Sequence, residues 1–231
     1  MHSWWHVALE ALFPTLCVAC GVVLDVGDET LCALCISQIP RLGLRLHNPK
    51  LPYTLIATTS YGTPKVQALI KALKYDGVKK AASTLALITT AAARDTLEHE
   101  FLTPASPAGR HTDWLMVPIP LHPKRERERG FNQSTLFAEA LQHHEPFRYI
   151  PLVHALSRTR YTATQTEKPD YKARKVNVAG CFEVMRPEEV RGKNVLLIED
   201  VTTSGATLEE AARVLKHAGA RRITALVFAK A

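Results

Sequence analysis

Two adjacent carboxylates, Glu199 and Asp200, stand directly ahead of the run Val201, Thr202, Thr203, Ser204, Gly205, Ala206 and Thr207. Backbone amides and hydroxyls from Thr202 to Thr207 can enclose a phosphate where a helix begins, because the first amides of a helix lack partners and its dipole favours an anion. Gly205 lets the backbone approach that anion closely. The GxxxxGK[ST] pattern of a Walker loop is absent, so no lysine is part of this cradle. Two carboxylates would repel a bare phosphate, yet carboxylates accept hydrogen bonds from vicinal hydroxyls. A sugar phosphate satisfies both halves, with ribose hydroxyls on Glu199 and Asp200 and the 5-phosphate on the loop. The simpler alternative is a strand-to-helix turn with a Ser/Thr cap.

A second chemical cluster lies near the amino end. Cys17 and Cys20 are separated by two residues, as are Cys32 and Cys35, with eleven residues between the pairs. Paired C-x2-C knuckles grip one zinc ion tetrahedrally from two tight turns, and Gly21 suits the first turn. Four cysteines fill the coordination sphere, so the expected Zn2+ is structural. Disulfides or free thiols are the competing reading, disfavoured by a reducing cytosol. The fifth cysteine, Cys181, sits in the apolar run AGCFEVM and is expected in the core.

Two basic stretches follow the same logic of anion recognition. In LHPKRERERGFNQS, an extended loop would turn Arg127 and Arg129 to one side, where guanidinium groups suit phosphate oxygens. Glu126 and Glu128 between them also fit a solvated, salt-bridged surface. From Arg158 to Asn177, RTRYTATQTEKPDYKARKVN has no core pattern and reads as a long mobile loop. Its Arg158, Arg160, Lys168, Lys172, Arg174 and Lys175, with Tyr161 and Tyr171, suit a lid over a charged leaving group. The same mixture of cations and aromatic rings suits single-stranded nucleic acid.

These residues need elements to position them. TLIATTSY is predicted as a strand, and PKVQALIKALKYDG as a helix with Val66, Leu69, Ile70 and Leu73 on one face, Pro64 at its start and Gly77 at its stop. A helix from about Val78 to Leu97 and an exposed connection, HEFLTPASPAGRH, come next. Thereafter WLMVPIP, YIPLVHAL, FEVM, NVLLIED and ITALVFA read as strands, with STLFAEALQ and TLEEAARVLKHAG as helices. Alternating strands and helices predict an α/β fold with a mostly parallel sheet flanked by helices. Ligands of such sheets bind at the carboxyl ends of the strands, where both the acidic loop and the first basic loop fall. Pro40 and the polar HNPKLP stretch suggest two units: 1–46, an N-terminal helix and four-cysteine zinc module, and 47–231, the α/β domain.

Composition narrows the partners. The 231 residues, 46% hydrophobic, suffice for one substantial core with a small appendage. A formal net charge of +7 points to a polyanionic substrate or partner. Apolar runs fall short of the roughly 20 residues that span a bilayer, so no transmembrane segment is expected. MHSWWHVALEALFPTLC lacks a basic leader and carries Glu10, which argues against a secretory signal and for a cytoplasmic location. Trp4, Trp5, Ala8, Leu9, Leu12 and Phe13 form a helical stripe suited to docking on the core or on the inner face of a membrane.

Val195 to Thr207, VLLIEDVTTSGAT, resembles the phosphoribosyl diphosphate signature of type I phosphoribosyltransferases: four hydrophobic residues, two acids, then the Thr/Ser-Gly-x-Thr loop. One departure is informative. The position of Thr203 holds a base-handling carboxylate in the purine-salvage branch, so hypoxanthine or guanine salvage is not expected. The cysteine head, YGTPKVQALIKALKYDG, HPKRERERGFNQS, the 158–177 stretch and EDVTTSGAT occur in the order found in the ComF/GntX-like family, which the chain resembles over nearly its whole length. That resemblance implies a type I phosphoribosyltransferase-like domain behind a zinc finger, and a part in natural competence, the uptake of DNA for transformation. It further implies 5-phosphoribosyl 1-diphosphate with Mg2+ as ligand. Glu199, Asp200, Arg158 and Arg160 are then the catalytic candidates, Thr202 to Thr207 the phosphoribosyl loop, and Arg127 with Arg129 the pyrophosphate contacts. Single-stranded DNA and other competence proteins are the alternative partners, on a scaffold that need not be catalytic.

Overall fold

The longest runs without polar alternation become the centre of the molecule. In the computed structural model, which describes residues 14–25, 30–102, 113–161 and 178–231, strand β6 (Asn194–Thr202) lies between β7 (Arg222–Lys230) and β3 (Trp114–Pro118). Beyond β7 come β2 (Thr54–Ser60) and β1 (Leu44–His47), giving the order β1-β2-β7-β6-β3. All neighbours are parallel except β1, which runs antiparallel to β2 at the edge.

Because successive side chains point to opposite faces, each strand feeds two cores. Ile56, Met116, Leu196, Ile198, Leu226 and Phe228 meet helices α3 (Ala81–Leu102) and α5 (Gln133–Leu141) on one face. Leu55, Leu115, Val117, Val195, Leu197 and Val227 meet α6 (Pro187–Val190), α7 (Ala206–His217) and the antiparallel pair β4 (Leu156–Arg158) and β5 (Phe182–Val184) on the other. Fully burying one such side chain contributes about 1.5–3 kcal/mol. The mostly parallel α/β sheet expected from the sequence is the one found.

Helix α2 (Pro64–Lys74) buries Val66, Leu69, Ile70 and Leu73 on the predicted face, starts on Pro64 and is followed by Gly77 at φ 70°. Three elements differ from expectation. YIPLVHAL forms no continuous strand: residues 147–149 make a 3-10 turn, and the chain touches the sheet through one parallel bridge, Leu152 to Met116, before β4. Pro151 leaves no amide to donate to a ladder, which confines this segment to an edge. The first four residues of HEFLTPASPAGRH continue α3 to Leu102, and the rest lies outside the described residues.

The third difference concerns the basic stretch. Pro123–Arg129 is a helix, α4, instead of an extended loop. Pro123 supplies the preset φ of a first turn, the His122 ring accepts from the Lys124 amide, and Gly130 at φ 81° stops the helix. Residues two apart on a helix lie about 200° around its axis, so Arg127 and Arg129 point to different sides. Asn132 then caps α5, accepting from the Ser134 amide at 3.0 Å.

The cysteine head is packed onto the first core. Cys17, Leu31, Cys35 and Ile39 share a buried cluster with Leu85 and Ile88 of α3, and the Thr30 amide donates to Thr84 Oγ1 at 3.1 Å. A short helix, α1 (Ala33–Ser37), carries Cys35 inward. The line between residues 46 and 47 falls inside β1. The N-terminal stripe from Trp4 to Phe13 and most of the 158–177 stretch, including Lys168, Tyr171, Lys172, Arg174 and Lys175, lie outside the described residues.

Candidate functional site

Strand β6 carries Glu199 and Asp200 to the carboxyl end of the sheet, and the chain turns at Thr203 and Ser204 into α7. Gly205 caps that helix at φ 77°, a left-handed conformation that L side chains rarely adopt, and its carbonyl accepts the Glu209 amide at 2.8 Å. Ser204 Oγ accepts from the Ala206 amide at 3.4 Å. Thr203 is exposed, whereas Thr202 and Ala206 are buried in the turn's foundation. The Tyr53 phenol oxygen lies 2.8 Å from where a Cβ on residue 205 would sit, so glycine is required by space as well as by φ.

Behind this loop the carboxylates are unequal. Asp200 is buried, ion-paired with Lys74 Nζ at 2.5 Å, and accepts from Gln133 Nε2 at 3.2 Å. Gln133 Oε1 in turn accepts from Arg129 Nη1 at 2.5 Å, so a polar relay joins α4 to β6 through α5. Glu199 Oε2 is closed off from solvent and has no hydrogen-bond partner among the described residues. Burial pushes the Glu199 carboxyl up to about 8; the Asp200 charge adds to this, and Lys74 and Arg158 oppose it. Near neutrality Glu199 is therefore largely protonated, beside an Asp200 that is ion-paired with Lys74.

The shift has a signed consequence. A carboxyl whose folded pKa is raised gives stability that is complete below its unfolded value near 4.5 and is lost as pH rises through about 8. Glu199→Gln removes that dependence. Denaturation at pH 5 and pH 8 should show the variant gaining on the natural protein by an amount on the order of a few kcal/mol at the higher pH. Equal pH slopes for the two proteins would contradict this.

The arginines divide. Arg129 is half-buried at the relay, its guanidinium 5.8 Å from the Tyr75 ring centroid. Arg158 is drawn inward at the end of β4, 5.3 Å from the Phe182 ring. Desolvation disfavours its charge, and the Cys181 thiol and Glu199 carboxylate counter that effect. Arg127 and Arg160 are exposed, and Arg160 Nη2 donates to the Ala179 carbonyl at 2.6 Å. Tyr161 packs edge-on to His122 at 5.2 Å, with Lys124 at 5.1 Å and Arg125 at 5.8 Å from its ring. The base of the 158–177 stretch thus sits against α4.

Glu199, Asp200, Arg129, Arg158 and the 202–207 loop gather at one end of the sheet, while Arg127 and Arg160 lie toward its margin. Lys74, Gln133, Tyr75 and Tyr53 were not singled out as site residues from the sequence. The available signal was the placement of Lys74 and Tyr75 at a helix end just before Gly77, and of Gln133 just after a capping Asn. A cavity of about 620 Å³ opens beside Thr203 and Val201, walled by Tyr61, Gln67, Lys71, Lys74 and Tyr75. Its mixture of rings, amide and cations is suited to a planar, polar acceptor. Cys181 is buried as expected.

The four N-terminal cysteines bring their sulfurs within 4.8 Å of one another, and Cys20 Sγ to Cys32 Sγ is 3.8 Å. Tetrahedral zinc with Zn–S bonds near 2.3 Å requires S–S edges of about 3.8 Å, so the donor set fits the ion. Gly21 adopts φ 74° and its amide donates to the Cys17 carbonyl at 2.8 Å, making the expected knuckle. Burial pushes the Cys35 thiol up to about 12; Cys17, under the same desolvation, is brought down to about 6 by the amides of Cys32, Ala19 and Cys20.

Residues 133–231 match the Phosphoribosyl transferase domain family. Over 228 residues the chain is 28% identical to the DNA utilization protein YhgH of Salmonella typhimurium, covering 91% of this chain and 94% of that one. It is 36% identical to the Competence protein ComFC of Bacillus subtilis over 109 residues, 46% of this chain and 40% of the relative. With the Competence protein F of Haemophilus influenzae it shares 30% identity over 118 residues, half of each chain. Among the described residues, no helix is long and apolar enough to cross a membrane.

Proposed function

The chain is a ComF-like protein with a phosphoribosyltransferase domain, and from that premise we propose that it binds 5-phosphoribosyl 1-diphosphate with Mg2+ and serves natural competence in the cytoplasm. The observation that carries the ligand is the pairing of Glu199 and Asp200 with a glycine-capped helix start on one strand-loop-helix unit. Thr203 to Thr207 would hold the 5-phosphate and the two carboxylates the ribose hydroxyls. Arg129, Arg158 and Lys74 would neutralise charge on the diphosphate. Glu199 and Asp200 are hard oxygen donors of the kind Mg2+ takes, and the ion would supply positive charge to the diphosphate oxygens. Transfer from C1 to an acceptor would place that acceptor in the cavity beside Thr203. Zn2+ in the four-cysteine site would hold the head to the core.

Calorimetric titration tests the ligand. The natural protein with zinc intact should take up phosphoribosyl diphosphate when Mg2+ is present, and Asp200→Asn should weaken binding at least about tenfold, a cost of about 1.4 kcal/mol. No uptake by the natural protein would sink the proposal. With Thr203 in place of a carboxylate, neither hypoxanthine nor guanine should yield a ribonucleotide.

A second reading is favoured by the relatives, which are DNA utilization and competence proteins: a single-stranded DNA-binding accessory module on an inactive phosphoribosyltransferase scaffold, working with other competence proteins. The two readings are compatible, because the phosphoribosyl site occupies only one end of the sheet.

A further inference from the structure

Of the arginines on the two basic stretches, Arg129 and Arg158 are drawn inward toward the proposed phosphoribosyl site. The structure offers another cluster of cations. At the opposite end of the sheet, where β2 and β7 begin and β1 and α7 end, a cavity of about 480 Å³ is lined by Arg45, His47, Lys216, Arg221 and Arg222. Leu51, Pro52 and Ile223 form its apolar wall, and no carboxylate is among its described lining residues. Along β2 and β7, six residues separate the pair Thr54 and Thr224 from the pair Ser60 and Lys230 at the phosphoribosyl end. At about 3.3 Å per residue these strand positions are roughly 20 Å apart, and the ring of Tyr53, which lines the pocket, reaches from there toward Gly205.

We propose that this basic pocket binds the phosphodiester backbone of a single DNA strand. The choice of ligand rests on the competence role proposed above; the location rests on the pocket. Arg221 is held in place by Asn194 Oδ1 at 3.0 Å and by Asp113 at 3.5 Å, and Lys216 Nζ donates to the Arg221 carbonyl at 2.6 Å. These two order the rim. Arg45 and Arg222, both exposed, are the cations that reach phosphates. Concavity favours one chain over a duplex, whose backbone needs a long, open track. Among the described lining residues Tyr53 is buried and the His47 imidazole is engaged with Thr54 Oγ1 at 3.3 Å, so contacts run to the phosphates and recognition is independent of sequence.

The experiment follows the anisotropy of a labelled oligothymidylate against salt, for the natural protein, Arg45→Gln, Arg222→Gln and the double variant. Each lost phosphate contact should lower the salt slope by about 0.7, so the double variant should lose about 1.4 and bind at least about tenfold more weakly at moderate salt. Thermal melting and an unchanged phosphoribosyl diphosphate titration show that the variants stay folded with the other site intact. A natural protein that binds no strand overturns both the DNA role and this pocket. Natural binding with unaltered slope in the variants overturns the pocket alone, as does a slope that responds only to Arg127→Gln and Arg160→Gln. Equal competition by duplex DNA, or complete displacement by stoichiometric inorganic tripolyphosphate, also overturns it.

Discussion

Gly205→Val should abolish phosphoribosyl diphosphate binding while leaving most of the sheet folded. Two independent costs meet at this residue. Its φ of 77° places any Cβ in a conformation disfavoured by about 1–2 kcal/mol, more for a β-branched side chain. The new Cβ would also lie 2.8 Å from the phenol oxygen of Tyr53, the tip of a rigid, buried ring. Relief requires the loop to shift, and the loop is the proposed phosphate cradle. We expect affinity to fall by about 100-fold or more, equivalent to about 2.7 kcal/mol, with a lowered melting temperature. The double variant Gly205→Ala with Tyr53→Phe separates the causes. Removing the phenol oxygen relieves the contact and leaves only the backbone strain, so it should bind better than Gly205→Ala alone. Calorimetry on the four proteins gives the comparison, and natural affinity in Gly205→Val would remove the loop from the site.

Loss of the metal should be the largest blow to stability. The four sulfurs sit at spacings that fit tetrahedral zinc, and Cys17 and Cys35 belong to the same buried cluster as Leu85 and Ile88 of α3. Without a cation these sulfurs are either thiols held apart from water or thiolates facing one another. Structural zinc binding is itself folding free energy in small modules, with apparent values of about 10–16 kcal/mol in isolated fingers. Here only part of that reaches the α/β domain. Chelation of the purified protein, or Cys35→Ser, should lower the melting temperature on the order of 10 °C, corresponding to a few kcal/mol. The exposed Cys20 gives a milder case, because its replacement leaves no buried polar group behind. Metal analysis accompanies the melts. A folded preparation without stoichiometric metal, or a melt indifferent to the chelator, would refute the assignment.

Much of the site was legible because its chemistry is local. VLLIEDVTTSGAT contains its own strand, acids, turn and helix start, and each depends on neighbours within a few residues: apolar continuity for β6, Gly205 for the left-handed cap, hydroxyls for the cradle. The cysteine knuckles are local for the same reason, two residues separating each pair, with Gly21 closing the first turn and a short helix forming the second. The basic stretch after β3 was legible in charge but not in shape. Alternating Arg and Glu suggested an extended loop, whereas Pro123, the His122 cap and the Gly130 stop make a helix, and the helical period sends Arg127 outward and Arg129 inward.

The amino-acid sequence alone thus determined the α/β class, the glycine-capped turn from β6 into its helix and the two C-x2-C pairs that cluster, since these depend on residue type and on spacings within one turn or strand. Tertiary structure decided what surrounds them. Lys74 reaches Asp200 across 126 positions of sequence and Gln133 across 67, because the fold brings distant helix ends to the end of β6, and Tyr53 meets Gly205 across 152 from the start of β2. Burial, which only the packed molecule creates, then made Glu199 a proton-holding acid and its neighbour Asp200 a paired anion. Both are plain carboxylates in the sequence; the environment assigned their different charges.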